Sequence, residues 1–337
     1  MQLVINTPGV LIKQKDECIQ LKQGDRVFDI SPLKVESIII SNKALISTQV
    51  INMAMKHNID IIFLDEHGDP AGRVWLSKMG STALIRRKQL EASGSDISIR
   101  IVKDMLRVKM ENQTRFLKRL MHARPGREHL FTKALKSIEN SLQGIEQTNE
   151  NLDAAWERFR GLEGSAGRAY FRTISAILPE KHRFPRRSKR PARDPFNAAL
   201  NYCYGILYGR VEKACILSGL DPFVGFMHTD NYNKKSLVFD LIEPFRIYAE
   251  QTVVYMFTGK KIKDDFFHVS EDAVRLDTKG KPTVIETMNQ HLAEAVRYRR
   301  RNVKRKNIIL QEAHRLANIL LEDEPEKRPV WLEMKEF

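Results

Sequence analysis

Three side chains that can bind a metal lie close together within residues 219–246. His228 ends the stretch GLDPFVGFMH, Asp240 follows twelve residues later, and Glu243 comes three residues after that. Residues three apart share one face of a helix, so Asp240 and Glu243 would point the same way if this segment is helical. Apolar residues surround both carboxylates, and burying such charges requires a cationic partner. A divalent metal ion is one such partner, and the guanidinium of Arg246 is the alternative.

A fourth candidate, Glu163, lies in a glycine-rich stretch at the start of an apolar helix. Glycines at 161, 164 and 167 surround it, and small neighbours let a metal or a phosphate approach closely. The structural interpretation is a first-turn glutamate that the helix dipole stabilises. Pro244 also disfavours a helical conformation at Glu243. Spacing alone therefore leaves two interpretations open for these side chains, a metal-binding site and a purely structural role.

Together these side chains make a ligand set of one imidazole and two or three carboxylates. Oxygen-rich sets of this kind suit Mn²⁺ or Mg²⁺. A hard metal beside a basic surface is suited to phosphodiester chemistry, because it polarises a phosphoryl oxygen and lowers the pKa of a bound water or hydroxyl. The residues predicted to carry this chemistry are Glu163, His228, Asp240 and Glu243.

Positive charge is concentrated in the C-terminal part of the chain. The net charge is +14, and residues 1–80 contain nine basic and nine acidic residues, so the whole excess lies in residues 81–337. Two runs, 181–193 and 297–306, each hold seven lysines or arginines and no acid. Such clusters suit phosphate binding, although one run alone is typical of a solvated face. The residues predicted to bind DNA are Arg183, Arg186, Arg187, Lys189, Arg190, Arg193, Arg297, Arg299, Arg300, Arg301, Lys304 and Arg305.

Short strands and turns dominate the N-terminal part, residues 1–80. Alternating or β-branched apolar residues predict several strands, broken by turn residues such as Pro8-Gly9. One helix is expected at 47–57, with Ser47 or Thr48 as its cap. This part therefore reads as a small β-rich domain.

The remainder of the chain is typical of helices. A long helix follows residue 96, and the pattern stays helical almost to residue 321, with the basic run 181–193 as an irregular loop. The sequence thus predicts an α+β fold with its elements segregated by domain. The expected domains are a β-rich domain at 1–80, an almost all-α catalytic domain at 81–322, and a tail at 323–337.

Several functional classes lack support in the sequence. No apolar run is long enough to span a membrane, and the N-terminus lacks the features of a signal peptide. The three cysteines form no CxxC pair, which favours buried thiols in a reducing cytoplasm over zinc ligands or disulfides. No GxGxxG, Walker or GxSxG motif is present.

Four ordered motifs resemble the CRISPR-associated endonuclease and integrase of spacer acquisition, the Cas1 family. They are GLEGSAGRAYF around Glu163, DPFNAALNYCYGILYG at 194–209, GLDPFVGFMH ending at His228, and SLVFDLIEPFR at 236–246. The resemblance extends over nearly the whole chain. It implies that Glu163, His228 and Glu243 bind Mn²⁺ or Mg²⁺, and that Asp240 is a further ligand or a carboxylate that orients the ligands.

The resemblance also implies partners and a reaction. Members of the family pair as homodimers through their N-terminal domains and assemble with a small companion protein, Cas2, around double-stranded DNA. The implied reaction is a transesterification in which a DNA 3′-hydroxyl attacks a phosphodiester of the CRISPR array, and the same site would cleave branched DNA. Two alternatives stay open: a non-catalytic nucleic-acid-binding subunit with a structural ion-pair network, and a metal phosphodiesterase acting on RNA.

Overall fold

The chain divides into two compact units, Met1–Gly80 and Ser81–Phe337. Strands dominate the first unit and helices the second, which confirms the predicted α+β class. Among the described helices, none combines the length and the apolar character needed to span a bilayer. The computed structural model describes residues 2–35, 37–57, 59–64, 70–74, 82–148, 152–227 and 234–322. The tail expected at 323–337 lies outside these ranges.

Two four-stranded sheets and one helix make up the first unit. One sheet has the order β1-β5-β7-β8 and the other β4-β3-β2-β6. Fully buried isoleucines of both sheets, such as Ile12 and Ile38, join one core with Val50 of the helix. The helix begins as predicted, since the Ser47 hydroxyl accepts a hydrogen bond from the amide of Val50. The elements are β1 Gln2–Ile5, β2 Val10–Lys15, β3 Cys18–Gln23, β4 Arg26–Ile30, β5 Ser37–Ile40, β6 Ala44–Ile46, α1 Thr48–Lys56, β7 Asp60–Leu64 and β8 Pro70–Val74.

Nine α-helices form most of the second unit in its described ranges. They share one large core that includes the buried aromatic rings of Phe116, Tyr170 and Tyr248. Helix α8 is buried on nearly every side, so it lies at the centre of this unit. The helices are α2 Thr82–Ser93, α3 Ile97–His122, α4 His129–Glu146, α5 Leu152–Ile177, α6 Pro195–Leu217, α7 Ser236–Leu241, α8 Arg246–Thr258, α9 Gly280–Ala293 and α10 Arg305–Leu320.

Two short antiparallel ribbons interrupt the helices. Strands β9, Phe267–Val269, and β10, Val274–Leu276, form one ribbon, and β11, Ala295–Tyr298, and β12, Arg301–Lys304, form the other. The sequence pattern predicted neither. The second ribbon carries most of the basic run 297–306, so this run is a defined β-hairpin with Arg299 and Arg300 at positive φ in its turn.

Candidate functional site

The predicted site residues come from separate elements of the second unit. Glu163 lies on α5 and Asp240 on α7, whereas Glu243 begins a 3₁₀ turn that ends at Phe245 and leads into α8. The acidic pair therefore does not lie on one regular helix, which agrees with the effect expected of Pro244. His228 lies outside the described residues.

Lys109 of α3 brings the two glutamates together. Its ammonium contacts Oε1 of Glu163 and lies 2.6 Å from Oε2 of Glu243. The side chain of Glu243 is 6% exposed and that of Lys109 11%, but that of Glu163 is 35% exposed. The cluster therefore has a buried carboxylate at its base and a second carboxylate that reaches solvent.

Arg246 completes this ion-pair cluster from the other side. Its Nε donates to Oε1 of Glu243 at 2.8 Å, which is the alternative partner that the sequence suggested. Burial raises the pKa of Glu243, but the charges of Arg246 and Lys109 outweigh it and lower the pKa to about 2. Burial lowers the pKa of Lys109, but the negative charges of the two glutamates have the larger effect, so the pKa is raised overall. Glu243, Lys109 and Arg246 are therefore ionised at neutral pH.

The donor set of this cluster fits a hard divalent cation. Oε2 of Glu243 is inaccessible to solvent and accepts no hydrogen bond of acceptable geometry, so its close contact is the charge of Lys109. Two carboxylates that share one cation are the kind of ligand that Mg²⁺ and Mn²⁺ prefer. Within the described residues, no three acidic, histidine or cysteine side chains gather closely enough to hold a metal. His228, which the sequence suggested as a further ligand, is outside these residues.

Asp240 contacts the backbone just before residue 228. Its side chain is fully buried, and Oδ2 accepts hydrogen bonds from the amides of Phe226 at 2.6 Å and Met227 at 2.9 Å. Asp240 therefore fixes the chain that leads into the predicted histidine ligand.

Gln89 of α2 anchors the same segment and was not predicted from the sequence. Its Nε2 donates to the carbonyls of Asp221 at 2.9 Å and Val224 at 2.7 Å, and its Oε1 accepts from the amide of Asp221. The side chain is fully buried. No local pattern distinguishes this glutamine from a solvated one, because its partners lie more than 130 residues away.

Lys109 was also not predicted, although the sequence contains a signal for it. It follows Met105 by four residues and precedes Asn112 by three, and both belong to the buried face of α3. A lysine on the apolar stripe of a helix needs a buried counter-charge. That requirement would have indicated a buried acidic partner, although not which one.

The basic run 181–193 is an ordered loop fastened to α6. Arg187 donates to the side-chain oxygens of Asn197 and Asn201 and packs near the rings of Phe171 and Tyr204. Asn201 in turn donates to the carbonyls of residues 188 and 189. Arg187 therefore holds the loop against α6. The exposed basic residues of the loop that were predicted to bind DNA are Arg183, Arg186, Lys189, Arg190 and Arg193.

This loop lies close to the ion-pair cluster. The guanidinium of Arg246 is 4.6 Å from the ring centre of Tyr204, and that of Arg187 is 5.7 Å from it. Although much of Lys189 is exposed, partial burial lowers the pKa of its ammonium, and the charges of Arg246 and Glu243 also act on it. The loop therefore lies close to the carboxylates.

The hairpin of β11 and β12 presents the second basic run. Its inner face is fixed by Tyr298, whose hydroxyl donates to the buried Glu312 of α10 and accepts from Nε of Arg299. Arg305 is buried and donates to Glu294 at 2.6 Å, so it supports the fold and offers little to a ligand. Exposed on the hairpin are Arg297, Arg299, Arg300, Arg301 and Lys304.

Similarity to known proteins agrees with these features. The chain is 32% identical over 335 residues to "CRISPR-associated endonuclease Cas1 1" of Archaeoglobus fulgidus, covering 95% of this chain and 96% of that relative. The solved structures that share its fold include the following two. A casposase bound to an integration product has a TM-score of 0.82 at 22% identity, covering 97% of this chain and 91% of that one. A Cas6-RT-Cas1–Cas2 complex has a TM-score of 0.79 at 21% identity, covering 99% of this chain and 36% of that one.

A family model extends the agreement over most of the chain. The model described as "CRISPR associated protein Cas1" matches residues 3–290, which include every predicted metal ligand and the basic loop. The sequence motifs, the fold and the family match all point the same way. This chain is a member of the Cas1 family of CRISPR-associated proteins.

Proposed function

We propose that this protein is a divalent-metal-dependent DNA endonuclease and integrase that inserts short DNA segments into a CRISPR array. One observation carries the proposal: a buried and a partly exposed carboxylate, Glu243 and Glu163, share one cation beside an exposed basic loop. The names of the relatives support it, since one is an endonuclease and another was solved with an integration product.

The protein residues would hold the metal and the DNA in fixed positions. Glu163, Glu243 and His228 would bind Mn²⁺ or Mg²⁺, and Asp240 would support them by fixing the chain before His228. When bound, the metal would polarise the phosphate and favour the deprotonated form of the attacking hydroxyl. Lys189 and the exposed arginines of its loop would contact the DNA backbone next to the carboxylates.

The proposed reaction is a transesterification. A 3′-hydroxyl oxygen forms a new bond to phosphorus, the bond from phosphorus to the leaving 3′-oxygen breaks, and the proton moves from the attacking to the leaving oxygen through solvent. The number of phosphodiester bonds is unchanged, so no nucleotide cofactor is needed. The reverse reaction, or attack by water, would cleave branched DNA at the same site.

The first unit would provide protein contacts. Its residues carry no net charge, and the edge strand β4 exposes Val27 and Phe28. An exposed edge with apolar side chains is suited to pairing with another chain. We propose that this unit mediates a homodimer and that the dimer assembles with Cas2, because a Cas1–Cas2 complex is among the solved structures that share its fold.

The buried thiols of Cys203 and Cys215 fit the reducing cytoplasm that we propose as the location of the protein.

Strand transfer with defined DNA ends tests the proposal. A short duplex is incubated with the protein and a plasmid carrying a CRISPR array, with MnCl₂ or with EDTA. We expect joined products only with metal, and none from a duplex whose 3′-hydroxyls are replaced by hydrogen. DNA binding without joining or cleavage under every metal condition would favour the non-catalytic subunit, for which the Lys109–Glu243–Arg246 ion pairs would be purely structural.

The basic loop should contribute directly to DNA affinity. Replacing Arg183, Arg186 and Arg190 with glutamine should flatten the dependence of log K on log salt by up to about 0.9 for each DNA phosphate that is no longer neutralised. Fluorescence anisotropy with duplex DNA between low and moderate salt measures the slope. Lys133 and Lys136, exposed on α4, provide the matched control, and an equal change of slope there would contradict a specific role of the loop.

A further inference from the structure

One ammonium group connects the two proposed glutamate ligands, and no sequence motif marks it. Lys109 lies on α3, whereas Glu163 and Glu243 belong to α5 and to the turn before α8. The lysine contacts both carboxylates and is almost completely buried. One turn further along α3, Asn112 donates to the carbonyl of Pro244 at 3.1 Å. Helix α3 therefore holds the glutamate turn through two independent contacts.

We propose that Lys109 is a positioning residue that acts as an internal counter-cation: it holds Glu163 and Glu243 together in the metal-free protein, and an incoming divalent cation displaces its ammonium. The inference rests on the proposed function. It adds that the site is assembled before metal arrives, and that the metal must compete with a charge built into the protein.

The two oxygens of Glu243 have different roles in this arrangement. Oε1 accepts the hydrogen bond from Arg246. Oε2 faces Lys109 and lacks a hydrogen bond of acceptable geometry. Arg246 therefore keeps the carboxylate oriented when the lysine moves away, and Oε2 is the atom left for a new cation. The hydrogen bond from Asn112 keeps the glutamate turn against α3 throughout.

Electrostatics explains why a lysine is needed between the glutamates. Without it, two carboxylates would repel each other across a partly buried space in which charge is poorly screened. A long flexible side chain can hold them at little structural cost and can withdraw, because its charge sits at the end of four methylene groups. A doubly charged cation attracts the two carboxylates more strongly than one ammonium does, and in this proposal that difference drives the exchange.

Metal binding to the free protein tests the inference. The concentration of unbound Mn²⁺ is followed by electron paramagnetic resonance during titration of the full-length wild type, Lys109→Met and Glu163→Gln. We expect Lys109→Met to bind Mn²⁺ about tenfold more tightly than the wild type, since competition is removed. We also expect its melting temperature in EDTA to fall, and the rise on adding Mn²⁺ to be larger than in the wild type.

The matched control is Lys103→Met on the same helix. Lys103 is also partly buried, but its ammonium contacts the carbonyls of Glu146 and Thr148 at the end of α4. Its loss should lower the melting temperature without changing Mn²⁺ affinity. Should Lys109→Met not fold, Lys109→Gln keeps a hydrogen-bond donor and carries the same expectation.

Unchanged or weaker Mn²⁺ binding by the Lys109 variants would overturn the inference. If Glu163→Gln still weakens binding in that case, only the counter-cation role fails. If the wild type and Glu163→Gln bind Mn²⁺ equally, the proposed metal site itself fails.

Discussion

Replacing Glu163 with glutamine is expected to slow strand transfer at least about a hundredfold, because even residues that only support metal ligands cost 10–100-fold when changed. The free energy of unfolding should change by less than about 1 kcal/mol. The side chain of Glu163 is 35% exposed, and ion pairs that solvent reaches contribute little to the free energy of unfolding. Joined products are quantified on gels, and DNA affinity should be retained.

The matched variant, Glu243→Gln, separates chemistry from stability. Its activity should fall as far, but unfolding by urea in EDTA should also show a loss of about 3–5 kcal/mol, because breaking a buried ion pair leaves a charge without its partner. Here two buried cations, Lys109 and Arg246, lose that partner. Equal unfolding free energies for Glu163→Gln and Glu243→Gln would contradict the buried position of Glu243 in the cluster.

Replacing Asp240 with alanine should lower strand transfer about 10–100-fold and the free energy of unfolding by about 3 kcal/mol. Two amides that now donate to its carboxylate would be left buried without an acceptor, and hydrogen bonds to charged groups are worth about 1.5–3 kcal/mol each. Mn²⁺ affinity should fall much less than in Glu163→Gln. Strand-transfer assays, urea unfolding and metal titration on one preparation measure all three effects.

Asp221 offers a control for this prediction in the same segment. Its carboxylate accepts from the amide of Phe223 at 2.9 Å, but it is partly exposed. Asp221→Asn should therefore leave strand transfer nearly unchanged. A loss of Mn²⁺ affinity in Asp240→Ala as large as in Glu163→Gln would instead make Asp240 a direct metal ligand.

The predicted fold class follows from patterns that are local in sequence. Strand alternation before residue 75 and the apolar stripe of α3 arise from side chains two to four residues apart, so the sequence alone indicates them. The pairing of Glu163 with Glu243 is different. Neither spacing nor composition predicts it, and only the resemblance to a family did.

Long-range partners explain what the sequence did not predict. Gln89 and Lys109 owe their roles to residues 54 to 135 positions away, so no local pattern identifies their partners. Counting charges has the same weakness. A count of charges does not distinguish Arg187 and Arg305, which donate hydrogen bonds to other residues of the protein, from Arg186, which is exposed.

The contacts of α2 and α3 also bear on how the protein is made. Gln89 bonds to Asp221, and Asn112 bonds to Pro244, each across 132 residues. At a synthesis rate of about 5–20 residues per second, the two helices wait roughly ten seconds for these partners to leave the ribosome. Closing such long loops comes late in folding. A nascent chain that stops before residue 244 would thus contain Lys109, Glu163 and Asp240 but no assembled centre, so that a truncated product would be unable to cut or join DNA.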